Sequence, residues 1–283
     1  MIAKIQSSLA EALRPERLSA PDAPVIAIIA AHPDDEVAGA GSLIPSMKRG
    51  WLVHVTDGAP RDLIDALANG IITREQYALA RNREARAALA VAGFPEERLV
   101  TMGLVDQEAS LDMAGLARAI CALIVRLKPD AVLTHPYEGG HPDHDATAFA
   151  VHAGVALLAR AREHESTPVP EILEMACYHA GAGSGLVTGT FLEEDGEPVV
   201  QNIPAEALEL KERMISCFTT QQRALGMFDL ATERYRAAPR YDFTAPPHPG
   251  VLLYELYSWG MEGDRFNHLA REALVSLDLE GRI

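Results

Sequence analysis

The chain has 283 residues, 48% of them apolar and 23% charged, a balance that excludes a disordered or fibrous protein. At 30.6 kDa roughly 70% of the extended chain's surface can be buried, enough for one large core. Forty acidic against twenty-five basic residues leave a formal charge of −15, which argues against nucleic acid as a partner because that affinity rests on cationic phosphate contacts. The longest apolar run near the start, Val25 to Ala31, is far short of the roughly 20 residues a bilayer requires, so no membrane span is expected. The opening MIAKIQSSLAEALRPERL mixes charges with apolar positions at helical spacing and lacks the unbroken apolar stretch of an export signal, which predicts a cytoplasmic protein. Cys121, Cys177 and Cys217 are odd in number and far apart, and read as buried thiols of a reducing compartment.

PVIAIIAAHPDDE is an apolar run ending in polar residues, as expected of a strand buried on both faces that stops at a functional edge. Helical spacing follows from Val37 to Lys48, and WLVHVTDG reads as a second strand. Residues 73 to 92 carry Ala, Arg and Glu at helical period and stop at Gly93, with Pro95 beyond. RLVTMG is a short strand, LDMAGLARAICALIVRLKPD an amphipathic helix, DAVLTHP a fourth strand and ATAFAVHAGVALLARAREH another helix. EILEMACYHA adds one more strand. This alternation predicts an α/β fold, a Rossmann-like, mostly parallel sheet covered by helices on both faces. Beyond Gly181 the texture changes. GAGSGLVTGTFLEEDGEPVVQNIP places turn residues between short β-like runs and reads as a hairpin or lid. Residues 204 to 236 are helical by pattern, APRYDFTAPPHPG is a Pro-rich loop, and VLLYELYSW is a late strand candidate. The expected organisation is a catalytic core over residues 1–180 and an irregular extension over 181–283 that lies across the cleft and does not fold alone.

Two clusters carry chemistry, AHPDDE at residues 31 to 36 and HPDHD at residues 141 to 145. Each follows a predicted parallel strand, where open α/β sheets bind their ligands. His32 and Asp35 are three residues apart, as are His141 and His144. Two imidazoles and one carboxylate suit zinc and leave a fourth position for water. Either cluster alone reads as readily as a turn or a helix start.

AHPDDE after an apolar strand, TDG at residues 56 to 58, the Arg81 and Glu84 pair in the following helix, and HPDH at 141 to 144 together resemble the LmbE-like or PIG-L-like metal-dependent de-N-acetylases, over roughly residues 24 to 160. The resemblance implies that His32, Asp35 and His144 hold the metal, Zn2+ or else Fe2+ or another divalent ion, and that Asp34 is the general base. It makes His141 the group that steadies the oxyanion or protonates the leaving amine, charged near neutrality with Asp143 orienting its ring. Arg81 would reach a substrate hydroxyl or carboxylate, with Glu84 pinning it or simply exposed. Some relatives carry a Tyr two residues before the first His of HPDH, where this chain has Gly139; Tyr137 is the nearest substitute to bind substrate. An amide is a poor electrophile, so its hydrolysis calls for a metal that polarises the carbonyl and a separate carboxylate that takes the proton.

His135 reads as a residue behind the site or a structural one. His179, Arg240, Tyr241 and His248 lie in loops that could close over a substrate. The glycines of GAGSG lack the strand-to-helix setting of a phosphate loop. The expected function is thus a zinc-dependent N-deacetylase removing an N-acyl group from a small amino-sugar substrate. Two other classes share these residues. A non-haem iron oxygenase uses two His and one carboxylate, usually as His-x-Asp on a β-sandwich, and a non-catalytic ligand-binding module would leave Asp34 and His141 unexplained. No segment shows a self-complementary pattern from which an oligomeric state follows.

Overall fold

The computed structural model describes residues 12–163, 168–181, 185–192, 198–257, 259–281 and 283. The expected helical start over residues 1 to 11 and most of the GAGSG and EEDGE stretches therefore lie outside the described residues. A seven-stranded sheet runs through the chain in the order β3-β2-β1-β4-β5-β9-β8. Its strands are β1 (Ile26–Ala30), β2 (Trp51–Thr56), β3 (Leu99–Leu104), β4 (Ala131–Thr134), β5 (Glu171–Met175), β8 (Val199–Asn202) and β9 (Thr232–Ala237). The first five pair in parallel, and β9 and β8 then add antiparallel. A separate hairpin joins β6 (Tyr178–Ala180) to β7 (Leu186–Thr188).

Burial follows from the strand sequences. Every residue of β1 is buried, and its side chains divide by the two-residue period. Ala27 and Ile29 enter one core with Met113, Leu116, Ile120, Phe149 and Phe266, whereas Ile26, Ile28 and Ala30 enter the other with Val37, Leu89, Met214 and Phe218. The helices over the first face are α3 (Met113–Leu127), α4 (Pro142–Ala161) and α7 (Gly263–Leu277); those over the second are α1 (Asp35–Ala40), α2 (Arg74–Val91) and α5 (Ala205–Ile215). A four-residue turn of helix, α6 (Leu253–Leu256), precedes α7.

The sheet runs on past residue 180, because β8 and β9 extend it beyond β5. Two expected elements differ. The helical pattern over 204 to 236 stops at Ile215, and Thr232–Ala237 is a strand, its Glu233, Tyr235 and Arg236 buried in ion pairs and core that helical periodicity does not reveal. VLLYELYSW is no strand. Glu255 accepts from the Leu252 and Gly263 backbone N–H groups at 2.9 and 2.8 Å and winds the segment into α6. The interior also holds a buried Lys211–Glu233 ion pair at 2.7 Å, which fastens α5 to the last strands.

His152, on the inner side of α4, sits edge-on to Tyr241 and Phe243, and its Nε2 has no partner among the described residues. Burial alone lowers it to about 4. The unfolded chain therefore takes up a proton as pH falls below 6.5 while the folded chain does not, and stability is lost progressively between 6.5 and 4. The full effect is roughly 3 kcal/mol. His152→Leu should flatten the fall in Tm over that interval, and an unchanged acid slope would show that other groups control it.

Candidate metal centre

Strand order reverses between β1 and β4, since β2 lies beyond one and β5 beyond the other. A crevice opens at the carboxyl ends of such a pair, and both sequence clusters enter it. His32 to Asp35 leave β1 directly, while the turn after β4 leads through His141, the N-cap of α4, to His144 in its first turn.

His32 Nδ1 lies 3.2 Å from the Asp35 carboxylate and 3.2 Å from His144 Nε2, and His144 Nε2 lies 3.3 Å from Asp35. Nitrogen and oxygen donors about 2.0 to 2.1 Å from a zinc ion are separated by about 3.4 Å when tetrahedral, so the two nitrogens, with Asp35 Oδ2 beside His32 and Oδ1 beside His144, fit one small divalent ion. All three residues are buried. The other nitrogen of His32, Nε2, faces Asp106 at 3.2 Å and Asp143 at 3.4 Å, the carboxylate backing that a metal-bound imidazole ordinarily has. Burial opposes the Asp35 charge, but His144, His32 and His135 hold its carboxyl well below the usual range.

Two overlapping groups also bring candidate ligands within reach. In the first, His135 Nε2 already accepts the Ala31 N–H at 2.9 Å, and burial with nearby acids pushes the Cys177 thiol well up, away from the thiolate a metal needs. In the second, Asp143 is committed to the Gln107 and Ala109 N–H groups at 2.6 and 3.0 Å.

Asp34 has φ of 148°, a conformation that costs a non-glycine residue energy and that marks functional sites. Its side chain makes no cap bond to α1. Instead Arg81 Nη2 donates to it at 3.2 Å, and burial raises the carboxyl to about 7 despite that cation. Arg81 also donates from Nε to the Gly58 carbonyl, and its buried Nη1 has no partner among the described residues. This accounts for the TDG motif. Thr56 Oγ1 donates to the Ala31 carbonyl, and a Cβ at Gly58 would sit 2.8 Å from Arg81 Nε.

Several expectations change. Tyr137 is in the core, its hydroxyl donating to the Ala245 carbonyl and accepting from Asn267 among Tyr241, Phe243 and Phe266; it faces no cleft. The Asp143 carboxylate does not orient His141, whose Nδ1 accepts instead from the Asp143 backbone N–H. Nor is His141 held charged, because burial and His32 beside it push it well below the histidine range. Glu84 accepts from Thr219 and Thr220, not from Arg81. His135 stacks on His144 with centroids 3.9 Å apart and steadies it. Cys121 and Cys217 are only half-buried.

Three residues at the site were missed. Asp106 follows β3, and an acid just beyond a parallel strand is a signal the sequence does offer. Tyr178 packs on His144 at 4.8 Å and Trp259 on His141 at 4.5 Å, and nothing local distinguishes either from a core aromatic.

The family model described as PIG-L: GlcNAc-PI de-N-acetylase matches residues 27–155. Over that stretch the chain is similar to this family. Over 137 residues, 47% of the chain, it is 29% identical to a probable N-acetyl-alpha-D-glucosaminyl L-malate deacetylase 2 of Bacillus anthracis, and the match takes in 60% of that relative's length. Among solved structures, the N,N'-diacetylchitobiose deacetylase of Pyrococcus horikoshii superposes with a TM-score of 0.55 at 19% identity, over 84% of this chain and 91% of that one. The 4-carboxy-2-hydroxymuconate hydratase GalB of Pseudomonas putida does so with 0.54 at 16%, over 77% and 98%. These superpositions establish the α/β fold; the hydratase shows that the fold leaves the reaction open.

If His32, Asp35 and His144 share one ion, the purified protein should bind about one divalent ion per chain, and His144→Ala should lose most of it by elemental analysis. Full retention in both His32→Ala and His144→Ala would eliminate this ligand set.

Proposed function

We propose that the protein is a zinc-dependent amidase that removes an N-acetyl group from a small amino-sugar substrate. The observation that carries this reading is the side-by-side placement of a two-His, one-carboxylate donor set and a separate carboxylate, Asp34, paired to a buried arginine. The family match and the curated relative support the N-acetylated glucosamine class.

When bound by His32, Asp35 and His144, the metal would supply a Lewis acid that polarises the amide carbonyl and acidifies water. Asp34 accepts the proton of the attacking water. A carboxyl raised to about 7 by burial is matched to that task, since a base works best with a pKa near the working pH. Arg81 fixes the Asp34 carboxylate through Nη2 and leaves Nη1 for a substrate oxygen. His141 accepts at Nδ1, so as a neutral ring it carries its proton on Nε2, toward Asp106 at 3.9 Å. That N–H donates a hydrogen bond to the oxyanion, and the proton that Asp34 took from water passes to the departing nitrogen.

Asp34→Asn keeps the shape but cannot accept the proton. It should retain metal and lose about 10²- to 10⁴-fold in turnover, the usual worth of a general base. The assay measures acetate and free amine released from N-acetylglucosamine derivatives, products that a hydratase would not form. Wild-type turnover in metal-replete Asp34→Asn would remove Asp34 from the mechanism; loss of metal there with retention in Asp35→Asn would exchange the roles of the two aspartates. His141→Ala should keep the metal and lower kcat about 10²- to 10³-fold, the usual worth of one oxyanion donor. A metal-replete His141→Ala enzyme with unaltered kcat would refute its role.

A further inference from the structure

The segment after residue 250 is tied to the catalytic turn at two points. Leu253 N–H donates to the Gly139 carbonyl at 2.9 Å, and Gly139 has φ of 69° with Leu252 packed so closely that a Cβ would meet its side chain at 2.7 Å. Glu255 then closes the segment into a loop, accepting from Leu252 at one end and Gly263 at the other. The loop carries two aromatic side chains. Trp259 lies against His141 with centroids 4.5 Å apart, and Tyr257 stacks on Trp259 at 4.9 Å and 15°. Trp259 is partly exposed and Tyr257 is 51% exposed. The three rings therefore form a wall that runs from the buried imidazole to the surface. Leu256 and Val251 on the same segment are 47% and 49% exposed, so the outer part of the loop presents apolar surface to water.

We propose that Trp259 and Tyr257 form a subsite that stacks against the pyranose ring of the substrate's amino-sugar half. This rests on the deacetylase reading and extends it. The ring to which the wall is joined is His141, the group assigned to the oxyanion, so the reacting amide lies at the wall's inner end and the sugar that bears it extends along the wall. One face of a pyranose presents C–H groups, and an aromatic ring matches it by dispersion and the negative charge of its π-face. Backbone tethers on both sides hold the wall in place before the sugar arrives, which lowers the ordering cost of binding.

The chain has two tryptophans, Trp51 and Trp259. In a Trp51→Phe variant, titration with glucosamine should change the emission of the remaining Trp259 in a saturable way, while ethanolamine should not. No change with glucosamine, or equal changes with both amines, would overturn the proposal. Kinetics on the otherwise wild-type, metal-loaded enzyme give a second reading. Trp259→Ala should raise KM for N-acetylglucosamine about tenfold with a smaller change in kcat, lower kcat/KM for N-acetylethanolamine by much less than for the sugar, and be largely rescued by Trp259→Phe. Equal losses on both substrates would mean that Trp259 only props His141, and would overturn the subsite. Should neither amide be hydrolysed by the wild-type protein, the deacetylase reading fails, and the fluorescence titration still decides whether an amino sugar stacks here.

Discussion

The parallel pairing of β1 with β4, Ile26 to Ala131 through Ile28 to Leu133, is the constraint on which the rest depends. Chain order departs to opposite sides of this seam, so the loops after the two strands diverge and leave a crevice. His32 and Asp35 enter it from one side and His144 from the other. Because both faces of these strands are packed into cores, a one-residue shift in register would send every side chain to the wrong core, and the same packing that forbids the shift holds the His32 and His144 nitrogens 3.2 Å apart with the Asp35 carboxylate beside both.

Burial also explains the character of the site. Asp34, Asp35, Asp106 and Asp143 crowd there with, among the described residues, one permanent cation, Arg81. Unpaired carboxylates are costly to bury, and each has its own relief: Arg81 for Asp34, the imidazoles for Asp35, His32 for Asp106, and two backbone N–H groups for Asp143. The relief is incomplete at Asp34, which burial pushes up to about 7, and more than sufficient at Asp35 and Asp106, which the surrounding imidazoles hold down. Adjacent aspartates thus receive opposite properties, one suited to carrying a proton and one to remaining ionised beside a cation.

The part of the chain beyond residue 180 contributes in two physically distinct ways. Its strands β8 and β9 extend the sheet and bring buried charges with them, Glu233 to Lys211 and Arg236 to Glu174. Its last loop, pinned to Gly139 and closed by Glu255, places aromatic rings on His141. The first contribution stabilises the scaffold, and the second sets aromatic surface beside the candidate site.

Much of this was written locally. The apolar runs of β1 and β4, the helical period of residues 74 to 91 and the short spacings of AHPDDE and HPDH are features of a few consecutive residues, so they read directly as strands, helix and a clustered donor set. Tyr137, Asp143 and the 232–237 strand misread because their surroundings come from distant segments: Asn267 and Ala245 for Tyr137, the 107–109 backbone for Asp143, β5 for β9. Trp259 lies 118 positions from His141 along the chain and gives no local sign of the contact. The sequence by itself determined which residues can ligate, carry protons and form the parallel strands, since those properties belong to side-chain chemistry and short-range period. Tertiary structure alone decided which aspartate is backed by an arginine, which tyrosine is core, and which aromatics pack on His141 and His144, because burial and charge at each of these positions are set by segments remote in sequence.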